Sequence, residues 1–189
     1  LEAFRLDWKD GMPDQPHFFW DSDVAKVLEG MAYDLILNPD PEREKELDEY
    51  VDLVCSAQRP DGYLNIFFTV VAPDMRWKNL HEYHELYCAG HLMEAAVAHW
   101  QATGKRNFLD CMCRYADYIA SVFGRAPGQL RGYPGHEEIE LALCKLADAT
   151  GDKKYLDLAK YFIDERGTEP NYFAEEIKQL KRQAWSLDY

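Results

Sequence analysis

Residues 81–91 read HEYHELYCAGH and gather three of the chain's six histidines, with one cysteine, into eleven residues. Chemistry is therefore sought here first. At 100° per residue, His84, Cys88 and His91 fall within about 60° of one another on a helix. Imidazole and thiolate together are donors for a soft divalent ion. Against that, the pattern supplies no fourth ligand, and Cys88-Ala89-Gly90 is small enough for close helix packing. The same face runs on into Ala95 and Ala98, which read as core. We therefore expect no metal ligand in this chain. The histidines of this run are then core residues or substrate contacts. Another histidine, His136, follows the Gly-rich run Gly132-Tyr133-Pro134-Gly135. A neutral imidazole there can donate to or accept from a ligand hydroxyl, although packing is open as well.

Glycoside hydrolysis needs a pair of carboxyl groups. Glu82, Glu85, Glu94, Glu137 and Glu138 are candidates, but with 34 Asp and Glu residues their presence singles none out. Phe18, Phe19, Trp20, Tyr63, Trp77 and Tyr133 fall in loops near these histidines. They either stack on sugar rings or, as we take by default, plug the ends of helices. His81-Glu82-Tyr83-His84 lacks the zincin spacing, and no P-loop, GxGxxG or GxSxG occurs.

The elements that must position these residues read as helices. Asp21-Ser22-Asp23 resembles an N-terminal cap, and apolar residues follow it at helical spacing to about residue 36. A second helix is expected over about 41–58, a short strand or extended loop over 66–71, and further helices over about 79–102, 106–122, 136–150 and 153–165. The carboxylates of Glu137, Glu138 and Glu140 would then complement the dipole of the fifth helix. A charged tail runs from Ala174.

Thr103-Gly104-Lys105-Arg106-Asn107-Phe108-Leu109-Asp110 matches Thr150-Gly151-Asp152-Lys153-Lys154-Tyr155-Leu156-Asp157 at an offset of 47 residues. The repeating unit is a helical hairpin, and stacked hairpins make a solenoid or a closed ring. The turns at one end are short. The loops at the other end carry the aromatics, histidines and glycines, which points to a single functional face.

A formal charge of −13 argues against nucleic acid and against anionic membranes. No apolar run approaches the roughly 20 residues that span a bilayer. The five cysteines, Cys55, Cys88, Cys111, Cys113 and Cys144, lie among apolar neighbours without a CxxC. Reduced thiols and a cytoplasmic setting are expected. The sequence opens without Met and reads as part of something longer.

Four stretches in order carry a family resemblance: Asp21-Ser22-Asp23-Val24-Ala25-Lys26, Gln58-Arg59-Pro60-Asp61-Gly62-Tyr63-Leu64-Asn65, His84 through Leu92, and Pro134 through Leu143. Together they resemble the β-L-arabinofuranosidases of glycoside hydrolase family 127, over nearly the whole chain to about Phe173. The resemblance implies an all-α fold of helical hairpins, part of an (α/α)6 toroid, followed in the family by β-sandwich domains. It implies a retaining hydrolase whose nucleophile is a cysteine thiolate on a zinc ion, held by further Cys and Glu ligands, with a separate Glu as acid/base. None of those residues has a counterpart here, so residues 1–189 are expected to form one domain, the N-terminal part of the barrel, with no catalytic residue. His84 and His136 match positions that look like sugar contacts. Carbohydrate is the expected partner, no hydrolysis is expected from this chain alone, and the open seam of a partial barrel invites self-association. Two alternatives are a helical scaffold or carbohydrate-binding module, and a sugar epimerase using His84 and His136 as acid and base.

Overall fold

The structure, a computed structural model, describes residues 1–180. Three helical hairpins follow one another: α1 (Trp20–Leu37) with α2 (Pro41–Ser56), α4 (Glu85–Thr103) with α5 (Asn107–Val122), and α6 (Ile139–Thr150) with α7 (Lys154–Glu165). A single helical turn, α3 (Phe67–Val70), and a short closing helix, α8 (Tyr172–Gln179), lie outside them. No strand forms among the described residues. α4 packs on both α1 and α6, α2 packs on α5, and α7 lies against α6. The result is a two-layer arc of hairpins, part of an (α/α)6 toroid.

α4 is the centre of this arc because its sequence is small and apolar nearly all round. Ala89, Leu92, Met93, Ala95 and Ala98 are fully buried, and burying each Leu or Met contributes about 1.5–3 kcal/mol. The outer helices are amphipathic. α5, for example, buries Phe108, Leu109, Met112, Tyr115 and Ile119 on one face.

The repeat seen in the sequence is one turn used twice. Thr103 Oγ1 donates to the His99 carbonyl (2.8 Å) and accepts from the Lys105 amide (3.1 Å). Thr150 Oγ1 does the same with Leu146 and Asp152 (2.7 and 3.2 Å). Gly104 and Gly151 then end their helices at φ 73° and 72°, the left-handed region that favours glycine.

Four expectations need correction. Residues 66–71 form a helical turn, because the Asn65 side chain accepts the Phe68 amide (3.0 Å) and so starts a helix where the apolar run suggested a strand. α1 begins at Trp20, so Asp21 and Ser22 are buried inside its first turn and do not cap it. α4 begins at Glu85 and α6 at Ile139, six and three residues later than the periodicity predicts. Glu137 therefore lies outside the helix, where it pairs with Arg166 (3.1 Å). Part of the charged tail is α8; the remainder, 181–189, lies outside the described residues.

Candidate functional site

His84 is the residue that precedes α4, and His136 stands in the loop before α6. Two interactions bring those loops together. The backbone amides of Leu80 and His81 donate to the Glu176 carboxylate of α8 (2.6 and 3.1 Å), which keeps this stretch out of the helix. The Gly135 amide donates to the Leu80 carbonyl (2.9 Å), and a Cβ on Gly135 would stand 2.0 Å from the His81 carbonyl oxygen. Only glycine lets the second loop lie so closely on the first. The rings of His84 and His136 consequently meet, with centroids 4.4 Å apart and planes inclined by 32°.

Around the pair stand Phe18 and Phe19, 5.5 and 5.6 Å from the His84 ring, and Tyr87 at 5.4 Å, perpendicular to it. Lys26 of α1 reaches across to donate to the Tyr87 hydroxyl (3.0 Å). Phe19, Ser22, Asp23, Lys26, His84, Tyr87 and His136 line an open depression of about 260 Å³. Burial lowers the pKa of His84 to about 4, helped by the neighbouring His136, His17 and Lys26. At neutral pH it is an uncharged imidazole, and its Nδ1 is buried without a hydrogen-bond partner. A neutral imidazole, an ammonium, a phenol and aromatic faces around a small depression suit a polyhydroxylated ring.

The other sequence candidates divide. Tyr63 and Tyr133 are buried in the core, Trp77 packs on Tyr63 and Phe123, Phe19 borders the depression, and Phe18 packs on the His84 ring. Glu85 lies beneath the site, accepting from the Tyr63 hydroxyl (2.5 Å) and the Trp77 amide (2.7 Å). Burial raises its pKa to about 8, so it serves as a buried structural acid. Cys88 is fully buried, with its thiol toward the Phe18 carbonyl (3.6 Å). His91 turns instead toward Glu94 and Glu138. The common face of His84, Cys88 and His91 dissolves because His84 precedes the helix. Lys26 and Tyr87 were missed as site residues. Tyr87 is three residues from His84, and Lys26 ends a stretch that had already drawn attention.

Comparison with known proteins adds a family. The model described as "Beta-L-arabinofuranosidase, GH127 catalytic domain" matches residues 7–186. The non-reducing end β-L-arabinofuranosidase of Bifidobacterium longum subsp. longum is 43% identical over 166 residues, which cover 86% of this chain and 25% of that protein. The crystal structure of a GH127 β-L-arabinofuranosidase from Geobacillus stearothermophilus T6 superposes with a TM-score of 0.91 at 54% identity, covering 97% of this chain and 29% of that one. A second solved GH127 β-arabinofuranosidase gives 0.82 at 44%, covering 89% and 28%. The chain thus spans only about a quarter of the length of these relatives.

Proposed function

This chain belongs to the GH127 β-L-arabinofuranosidase catalytic-domain family, and from that premise we propose that it builds the sugar-holding wall of a β-L-arabinofuranoside hydrolase. The observation that carries the reading is the His84–His136 pair at the floor of a depression with aromatic sides. The uncharged His84 imidazole offers one donor and one acceptor, which matches a sugar hydroxyl of the same dual character. Phe19 and Tyr87 face the apolar side of the ring, and the Lys26 ammonium binds a further hydroxyl. The chain is one domain contributing three hairpins of a six-hairpin barrel, and the residues that break the glycosidic bond belong to the rest of that barrel.

The zinc chemistry implied by the family resemblance does not fit the thiols present. Cys88 is buried against Phe18, Cys55 hydrogen-bonds with Cys111, and Cys113 lies against Tyr155. Among the described residues, the His, Cys, Asp or Glu side chains gathered closely enough to share a cation include no cysteine. The catalytic thiolate and its zinc therefore lie outside these thiols, and this chain alone is expected to be inactive. Incubation with an aryl β-L-arabinofuranoside tests that, since clear turnover would refute it. L-arabinose titrated into the chain and followed by NMR tests the wall: His84→Ala and His136→Ala should each weaken binding. Unchanged affinity in both variants would end the reading.

Self-association follows from the two flanks of the arc. Val27 of α1 is exposed beside a hollow of about 350 Å³, and Leu141 and Ile163 are exposed beside one of about 370 Å³. Apolar hollows of this kind are interaction surfaces. A monomer on gel filtration would favour a self-contained carbohydrate-binding module instead. The five free thiols suit a cytoplasmic setting; no described helix is long and apolar enough to cross a membrane. The epimerase alternative is disfavoured, because an acid and a base must flank the reacting carbon, and these rings already touch each other.

A further inference from the structure

On the far side of the Tyr87 ring, which lies 4.5 Å from His91, three ionisable side chains converge. His91 and Glu94 are three residues apart on one side of α4, and Glu138 is the residue before α6. Gly90 allows the meeting: a Cβ there would come within 2.7 Å of Glu138 Cγ and 3.0 Å of the Ile139 backbone. The start of α6 therefore lies directly on α4 and delivers the Glu138 carboxylate beside His91. His91 Nδ1 stands 3.2 Å from Glu138 Oε1 and 3.6 Å from Glu94 Oε2. Ligand atoms about 2.1 Å from one tetrahedral ion stand about 3.4 Å apart, so the spacing is that of a shared cation.

The polar accounting points the same way. The side chains of His91, Glu94 and Glu138 are only 13, 8 and 13% exposed. Both His91 ring nitrogens and Glu138 Oε1 are buried without a well-aligned hydrogen bond. Glu94 and Glu138 hydrogen-bond to each other, which two carboxylates do only around a shared proton. Burial and the Glu94 charge raise the pKa of Glu138 to about 8. Burial opposes ionisation of Glu94 too, but its bonds to Glu138 and Lys145 outweigh that and keep it ionised. Lys145 occupies Oε1 of Glu94 and leaves Oε2 toward His91. Glu29 lies 4.0 Å from the same ammonium.

We infer that His91, Glu94 and Glu138 form a divalent-cation site, taking a zinc- or manganese-class ion through one imidazole nitrogen and two carboxylate oxygens. This departs from the expectation of no metal, and its donor set differs from the thiolate site implied by family resemblance. The ion would tie the start of α6 to α4 and so hold the loop that presents His136. The inference stands whether or not the chain binds sugar.

The test is calorimetric titration of the chelator-stripped chain with zinc chloride and, separately, manganese chloride. One ion should bind per chain, with release of the proton shared by Glu94 and Glu138, and the thermal midpoint should rise. Glu138→Gln keeps the shape of the side chain and should weaken binding at least tenfold, as should His91→Ala; Cys88→Ser and His84→Ala should leave it unchanged. If His91→Ala does not fold, Glu138→Gln decides. Absence of saturable binding by either ion would overturn the site, as would undiminished affinity in Glu138→Gln or dependence on Cys88.

Discussion

At one end of the arc, α4–α5 and α6–α7 are joined by the same Thr-Gly turn, closed by hydrogen bonds between residues two and four apart. At the other end, the loops before α4 and α6 are held by partners far away in sequence. Leu80 and His81 are tied to Glu176, and Gly135 to Leu80. Glycine serves different purposes at the two ends. A Cβ on Gly104 or Gly151 would meet nothing within 4 Å, so glycine is there for its backbone conformation. At Gly135 the reason is the neighbouring backbone. The turn end specifies the hairpins, and the loop end spends long-range contacts on placing two histidines.

Gly135→Ala should break this contrast most severely. Its Cβ meets a backbone oxygen that cannot move aside, so we expect a loss of about 4 kcal/mol or more in denaturant unfolding. Next comes pH. Glu85 has a folded pKa of about 8 against an ordinary 4.5, so the stability it contributes is fully present below 4.5 and is lost as pH rises through 8. Asp21, raised by burial to about 7, acts in the same direction. Between pH 6 and 9 the Glu85 part alone is on the order of 3 kcal/mol, and Glu85→Gln should flatten the slope by that share. An unchanged slope would remove the loop end as its source. The ion pairs of the turn end, such as Lys154 with Asp117, are exposed, and pairs of that kind contribute little.

Gly104→Ala and Gly151→Ala should each cost about 1–2 kcal/mol, the penalty of a left-handed backbone for an ordinary residue. A cost matching that of Gly135→Ala would erase the distinction between the ends. The smallest effect is expected from Thr103→Val, which removes one side-chain bridge worth about 1 kcal/mol. Both are read from denaturant midpoints at constant slope.

The same division governs what could be read from the sequence. The hairpins, their order and the repeated turn were legible, because Thr, Gly and the apolar period act locally. The starts of α4 and α6 were not. HEYHEL has helical periodicity, yet its first amide and that of Leu80 before it are taken by Glu176, about 95 residues downstream. His84 and His136 were recognised as candidates through the family resemblance, but their stacking depends on Gly135 meeting His81. Asp21 and Ser22 have the composition of a cap, and only the long-range bond from the Ile66 amide to Asp21 (3.0 Å) shows why they are buried. Lys26 is exposed on α1 and gave no local sign of its reach to Tyr87.

The bond between Glu176 and the loop at Leu80 also sets an order of events in folding. Each hairpin closes between neighbours in sequence and forms early, whereas contacts across long separations form late because loop closure must come first. All three hairpins end by Glu165, ahead of Glu176 in the chain. The backbone beside His84 is then fixed last, by a residue that belongs to none of them. Closure of the hairpins and placement of the loop beside His84 thus depend on separate contacts, local for the one and long-range for the other.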